Sequence, residues 1–391
     1  MKYVILVGDG MADYPIEDLG NKTPLQVANK PNMDELAKKG CSGLLKTIPK
    51  GMNPGSDVAN LSIFGYNPKK YYTGRGPLEA ASLGIKLKND EVAFRCNFVT
   101  VNNNVMVDFS ADHITTEESK ELINVLNNKI KSGKFYVGVS YRNIFIYPDG
   151  KINKLKTTPP HDIVGERIDK YLPKGENSKK IVEIMEKSRE ILNNHPINKQ
   201  REKNGKKPAN MIWLWGQGKR PKMIPFEKRF NIKGATIAAV DLIKGIGSYL
   251  GLKNIEVPGA TGYIDTNYKA KGKYAIKALN NYDFVYIHVE APDEAGHAGD
   301  VEEKIKAIEN IDSKILGQII DNVNMEELTI AVLPDHFTPV SVKTHTSEPV
   351  PYVLYSPRLK PDDVYSYDEF SAKNGSLGID KGYNLIKKMM G

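Results

Sequence analysis

Three short apolar runs, Tyr3–Val7, Phe284–Val289 and Leu328–Leu333, each break off into acidic or imidazole side chains. Apolar runs of this length, bounded by turn residues, read as strands buried on both faces. The first leads into Gly8-Asp9-Gly10. The second leads into Glu290-Ala291-Pro292-Asp293-Glu294-Ala295-Gly296-His297, and the third into Pro334-Asp335-His336. Helical patterns at Lys271–Asn280 and Val301–Asn322 lie between the later runs. This alternation predicts an α/β fold, a mostly parallel sheet with helices on both faces. Ligands of such sheets bind beyond the carboxyl ends of the strands, so the three polar clusters are expected to meet in space.

At 391 residues the chain exceeds one ordinary core and fits two domains. From about Tyr72 its character changes. Short strand-like runs at Glu91–Val99, Val105–Phe109, Lys134–Tyr141 and Asn143–Tyr147 are separated by turns such as Asn102-Asn103-Asn104 and Pro148-Asp149-Gly150. A helix is expected over Lys179–Leu192 and a strand over Met211–Trp215. This stretch reads as a smaller α+β domain, residues 73–233, inserted into a core domain made of residues 1–72 and 234–391. Within the core domain, helices are expected over Leu25–Lys39, Ser56–Ile63 and Thr236–Gly247. The basic run Asn198–Pro208 lacks interleaved aromatics and reads as a solvated loop.

The residue types at the strand ends suit metal ions. Asp293 and His297 are one helical turn apart and share a face. Asp335 and His336 are adjacent at a strand end, and His345 follows after a polar loop. Carboxylate with imidazole suits Mn, Zn, Fe or Co, and carboxylate with hydroxyl tolerates Mg. With Asp9 these residues suffice for two divalent ions. Any one of them alone could equally be a cap or a surface group. Ser56 is the candidate nucleophile, because the Pro/Gly-rich loop Pro49–Gly55 runs straight into a helix whose exposed amides favour phosphate oxygens. A plain serine cap at a helix start is the alternative. His195 reads as a surface residue, His288 as a hydrogen-bonded core histidine and His161 as part of a Pro-rich turn.

Several pieces then match a known family: Val7-Gly8-Asp9-Gly10, Asn53-Pro54-Gly55-Ser56-Asp57, Gly74-Arg75-Gly76-Pro77, Val257-Pro258-Gly259-Ala260-Thr261-Gly262, Asp293-Glu294-Ala295-Gly296-His297 and Pro334-Asp335-His336. The chain resembles, nearly end to end, the cofactor-independent phosphoglycerate mutases of archaeal type, within the alkaline phosphatase superfamily. The resemblance implies an alkaline-phosphatase-like core with an inserted domain that closes over the active site. It implies one ion held by Asp9, Ser56, Asp335 and His336, and another held by Asp293, His297 and His345. Ser56 would take the phosphoryl group from 3-phosphoglycerate and return it to the other hydroxyl, with no 2,3-bisphosphoglycerate required. Another phosphomutase of the superfamily, such as a phosphopentomutase, or a plain metallophosphatase would share the metal set.

Selectivity for a phosphoglycerate also needs cations for its carboxylate, preferably arginines because their fork fits bidentately. The bacterial form carries a pattern of arginines with an aspartate in the inserted domain, and that pattern is not evident here. Arg75, Arg95, Arg142 and His113 are the substrate-binding candidates, each placed where a strand pattern begins, ends or is interrupted. The formal net charge of +8 could serve an acidic metabolite. Nucleic-acid binding finds no support beyond that charge, since no GXXG loop, zinc spacing or stripe of stacking aromatics appears. Cys41 and Cys96 have no metal or redox spacing and suit a reducing compartment. No secretory leader and no stretch long enough to span a membrane is evident, so a cytoplasmic location and a small-molecule partner are expected.

Overall fold

In the computed structural model, which describes all 391 residues, the strands follow in chain order. They begin β1 (Lys2–Gly8), β2 (Cys41–Lys46), β3 (Val92–Asn102), β4 (Val105–Asp108), β5 (Lys134–Val139), β6 (Arg142–Tyr147) and β7 (Met211–Lys219). The chain continues with β8 (Gly234–Ile237), β9 (Lys253–Asn254), β10 (Phe284–Val289), β11 (Leu328–Leu333), β12 (Val350–Tyr355) and β13 (Ile379–Lys381). Two compact units result, one of Met1–Tyr72 with Met223–Gly391 and one of Thr73–Lys222.

The first unit is built on an eight-stranded sheet in the order β13-β2-β12-β11-β1-β10-β8-β9. Its centre is parallel: β1 runs beside β10 and β11, and β10 beside β8. Only β12 runs against its neighbours. The apolar runs are central because both of their faces are covered. Val4 and Leu6 join a cluster with Met33, Leu36, Ile308 and Ile315 on one face. On another patch of the sheet Tyr286 stacks on Phe64 with ring centroids 3.9 Å apart.

The second unit holds a five-stranded antiparallel sheet, β4-β3-β6-β5 with β7 paired to β3. The helix Ser178–Leu192 presents Ile181, Ile184, Met185 and Leu192 to a core that includes Phe94, Phe98 and Trp213.

Several local expectations need correction. The helix expected over Leu25–Lys39 is two helices, Pro24–Val27 and Pro31–Lys39, because Pro31 sits at a helix start and Lys30 before it is held out of helical geometry. Thr236 and Ile237 lie in β8, with Thr236 beside Tyr286, and the helix begins only at Asp241. A short apolar stretch buried all round does not distinguish strand from helix. The long helix expected over Val301–Asn322 contains a π-helical turn, Asp312–Leu316, whose Asp312 carboxylate accepts from the backbone N–H groups of Asn32 and Met33. The basic run is partly the helix Pro196–Lys203. Its Arg201 is buried, pairs with Glu118 at 2.7 Å and donates to the Ala111 carbonyl at 2.6 Å. The return boundary falls at Met223, ahead of residue 234, because the segment between packs on the first unit: Phe226 stacks on Phe284 at 4.7 Å.

Candidate active site

The register of the central strands decides where the polar clusters meet. Val7 lies beside His288 on one side and Leu333 on the other, so β1, β10 and β11 end at the same edge. Beyond that edge the Asp9 amide donates to the Val289 carbonyl at 2.9 Å, and the Gly10 amide donates to Asp335 Oδ1 at 3.1 Å. Gly10 has φ +59°, and a Cβ there would lie 2.4 Å from Thr338 Oγ1 and 2.7 Å from Asp293 Oδ1. Only glycine allows this approach.

One cluster is Asp293, His297 and His345. Asp293 and His297 share a face of the helix Ala291–Ala298, with Oδ2 and Nε2 3.3 Å apart. His345 Nε2 lies 3.4 Å from Asp293 Oδ1 and 3.0 Å from His297 Nε2. His297 Nδ1 lies 2.9 Å from the Lys343 carbonyl, which can only accept, so Nδ1 carries the proton there. Burial opposes a charge on His297, but the hydrogen bond and charge of Asp293 prevail and raise it to about 9.

The other cluster gathers Asp9, Ser56, Asp335 and His336. Ser56 Oγ is 3.1 Å from His336 Nε2 and 3.4 Å from Asp9 Oδ2. His336 Nε2 is 3.3 Å from Asp9 Oδ1 and 3.5 Å from Asp335 Oδ2. Ser56 is the first residue of the helix Ser56–Ile63 and Gly55 holds the cap position, so the serine is not the cap. Asn60, one turn on, donates to the Ser56 carbonyl at 2.8 Å and to Asp335 Oδ2 at 2.7 Å. It thereby ties the serine's helix to the end of β11.

These donors fit divalent cations. Asp9 is fully buried and its Oδ1 has no hydrogen-bond partner. An anionic oxygen in that position requires a cation or a proton. Burial first, then the charges of Asp335, Glu290 and Asp293, push the Asp9 carboxyl well above the usual range. Burial and the neighbouring Asp293 likewise push Glu290 up to about 8. Ligand atoms of Asp293, His297 and His345, and those of Asp9, Asp293 and His336, lie within 4.8 Å of one another.

A third such group, Asp9, His288 and Asp335, brings in a residue that sequence reasoning set aside as core. His288 Nε2 is 3.1 Å from Asp9 Oδ2, and Nδ1 is 3.7 Å from Glu290 Oε2. Burial lowers its pKa to about 4, so it is neutral. Its interior place in an apolar strand hid it. Asn60 and Thr338 were also missed, and no pattern in the sequence marks either.

The substrate-binding candidates all lie in the second unit, which is described by itself. Arg75 Nε is 2.7 Å from Glu79 Oε1, and Arg95 Nη1 bonds to the same oxygen. Both guanidinium groups lie over Trp215, at 5.8 and 5.0 Å. Arg95 is buried, and Arg142 is exposed beside Tyr141 at 5.8 Å. His113, also exposed, meets the edge of the Tyr141 ring at 6.0 Å. His161 meets the edge of Trp215 at 5.7 Å, a placement the sequence did not suggest. Ala111, Asp112 and His113 have φ of +49°, +53° and +48°, three successive residues in the left-handed region. Such strain persists only where surroundings over-determine it, and here Arg201 grips the Ala111 carbonyl.

A model of the 2,3-bisphosphoglycerate-independent phosphoglycerate mutases matches residues 37–198. The chain is 58% identical to "2,3-bisphosphoglycerate-independent phosphoglycerate mutase 2" of Methanothermobacter thermautotrophicus, covering 100% of this chain and 97% of that one. It is 52% identical to the 2,3-bisphosphoglycerate-independent phosphoglycerate mutase of Methanosarcina acetivorans, covering 99% and 98%. Among solved structures, a Pyrococcus horikoshii protein superposes with TM-score 0.86 at 33% identity, covering 100% and 96%. The cofactor-independent phosphoglycerate mutase of Thermoplasma acidophilum superposes with TM-score 0.67 at 29% identity, covering 100% and 99%.

Proposed function

The chain belongs to the 2,3-bisphosphoglycerate-independent phosphoglycerate mutases of the alkaline phosphatase superfamily, which makes it an isomerase that interconverts phosphoglycerates by metal-dependent phosphoryl transfer, and we propose that Ser56 carries the phosphoryl group between the two positions. The observation that carries this reading is the position of Ser56 Oγ, 3.1 Å from His336 Nε2 and 3.4 Å from Asp9 Oδ2 at the start of a helix. In the first half-reaction the Ser56 oxygen bonds to phosphorus as the bond to the substrate's 3-oxygen breaks. In the second, the glycerate 2-hydroxyl takes the phosphorus as the serine ester breaks. The positive end of the helix favours the negative oxygens of the phosphoserine.

Asp9, Ser56, Asp335 and His336 are proposed to hold one divalent ion, and Asp293, His297 and His345 the other, with Mn ahead of Mg, Zn or Co. Such ions would lower the pKa of the Ser56 hydroxyl and neutralise charge on the transferring group. His288 Nε2, like Asp9 Oδ1, has no hydrogen-bond partner, and the neutral ring is proposed to stand beside the ion held by Asp9 and Asp335.

For the substrate carboxylate, Arg75, Arg142 and His113 are proposed as contacts. Arg95 is assigned a supporting role, holding Glu79 and through it Arg75, because it is itself buried. A dedicated carboxylate site is what a mutase needs, because glycerate must be retained between the two transfers.

The test is an enolase-coupled assay without 2,3-bisphosphoglycerate, together with acid-quench trapping of the enzyme during turnover. Turnover with label recovered on the peptide containing Ser56 supports the reading. Turnover with the label on any other residue, or with no phosphoenzyme at all in a quench fast enough to resolve one turnover, refutes the role of Ser56.

A further inference from the structure

Two metal-ligand clusters lie side by side in the first unit, and one hydroxyl touches both. Thr338 Oγ1 is 2.5 Å from Asp293 Oδ1 and 3.2 Å from His336 Nδ1. A threonine hydroxyl has one proton to give and lone pairs to accept with. The Asp293 carboxylate, which also faces His297 and His345, can only accept, so the hydroxyl proton points to it. Toward His336 the hydroxyl can then only accept, and Nδ1 must carry the ring proton. The lone pair of His336 is left on Nε2, the nitrogen that faces Ser56 Oγ and Asp9 Oδ1.

We propose that Thr338 is a positioning residue that couples the two metal clusters, fixing the His336 tautomer for one and the Asp293 carboxylate for the other. The proposal rests on reading these clusters as metal sites. A histidine that binds metal through one nitrogen needs its other nitrogen protonated and oriented, and such outer partners commonly change metal affinity strongly.

The backbone around Thr338 is held as such a role demands. Its amide donates to the Ala12 carbonyl at 3.3 Å, and its carbonyl accepts from Lys304 Nζ at 2.8 Å. The ammonium of Lys304, wholly buried, also binds Asp13 Oδ2 at 2.7 Å and the Ala12 carbonyl at 3.3 Å. Asp13 Oδ2 in turn accepts from the Val340 amide at 3.1 Å. The loops after β1 and β11 are thus bound together on either side of the hydroxyl. Two glycines make room for it: a Cβ at Gly10 would lie 2.4 Å from Thr338 Oγ1, and one at Gly296 would lie 2.4 Å from the Thr338 carbonyl oxygen.

The experiment compares the full-length protein with Thr338→Val, which keeps the shape and loses the hydroxyl, and Thr338→Ser, which keeps the hydroxyl. Manganese binding is followed by calorimetry and electron paramagnetic resonance, and histidine ring nitrogens by NMR in the metal-free native protein. Thr338→Val is expected to weaken manganese binding at both sites by about ten- to a hundredfold, and Thr338→Ser to bind close to the native affinity. His336 in the native protein is expected to carry its proton on Nδ1. Native manganese affinity in Thr338→Val overturns the proposal, and so does a native His336 protonated on Nε2, which decides the matter even if the valine variant does not fold. Native protein that binds no divalent ion would instead refute the metal sites themselves, a distinguishable result that removes this proposal with them.

Discussion

Ser56 Oγ stands 3.1 Å from His336 Nε2, so the nucleophile of the proposed mechanism and a proposed metal ligand share one small space. Removing the hydroxyl removes the group that forms the phosphoenzyme but little of the fold. Ser56→Ala is expected to lose at least ~10³-fold in kcat, an order of magnitude in keeping with loss of a covalent nucleophile. Its circular dichroism and melting midpoint should stay close to native. The check is the coupled assay beside thermal melting, and near-native turnover in Ser56→Ala would defeat the phosphoserine route.

The second cluster can be dissected with Ser56 left in place. Asp293→Asn and His297→Ala each remove a proposed ligand of the second ion, the first buried and the second partly exposed. Each variant is expected to bind one manganese ion fewer than the native protein in equilibrium dialysis. Chelation of the native enzyme should abolish activity, and manganese should restore it. Full activity in protein verified as free of metal would be incompatible with the donor sets.

The arginines of the second unit separate by burial. Arg95 is 4% exposed and shares Glu79 with Arg75, so Arg95→Met leaves a buried carboxylate short of a partner. Breaking a buried pair on one side is destabilising by about 3–5 kcal/mol. Arg142 is exposed beside Tyr141, and Arg142→Met should leave the melting midpoint near native while raising KM for 3-phosphoglycerate. Denaturant unfolding and steady-state kinetics on both variants check this. Equal stability of the two variants would contradict the buried pairing.

The frame of the site was legible because buried parallel strands write themselves as apolar runs that stop sharply. Asp9, Asp335 and His336 follow such stops, and Asp293 with His297 adds helical spacing. His288 was hidden by the same logic: it sits inside a run, where a polar residue reads as core, yet its register beside Val7 brings it under Asp9. Thr338 and Asn60 reach Asp293 and Asp335 by hydrogen bonds across long sequence separations, and no periodicity carries that information. The sequence around Arg201 reads as solvated because charge runs usually are, whereas tertiary partners at Glu118 and Ala111 bury it. Thr236 reads as helix in the sequence because a short, wholly buried stretch has no face to show a period, yet it lies in β8. In the second unit, strands alternate and turn at Asn and Gly, so its antiparallel sheet was visible in outline.

Lys271 offers a test of burial against the backbone of β10. Its ammonium is buried on the helix Tyr268–Leu279 and donates to the His288 carbonyl at 2.8 Å. Burial lowers its pKa from 10.5 to about 8, against an upward pull from Glu290 and with a smaller push down from Lys244. A lysine whose folded pKa lies below its unfolded value binds fewer protons in the folded state between the two. Stability therefore rises with pH from about 8 to about 10.5, and below about 8 the folded state carries the full penalty. By proton linkage that penalty is on the order of 3 kcal/mol. Lys271→Met removes the charge and keeps most of the volume. The variant is expected to exceed the native protein in stability at pH 7 by more than it does at pH 10, because raising the pH relieves only the native chain. Denaturant midpoints of both proteins at pH 7, 8, 9 and 10 measure the difference. A stability difference that stays constant across that range would show that Lys271 does not titrate within it, and that its buried ammonium is held by more than the one carbonyl.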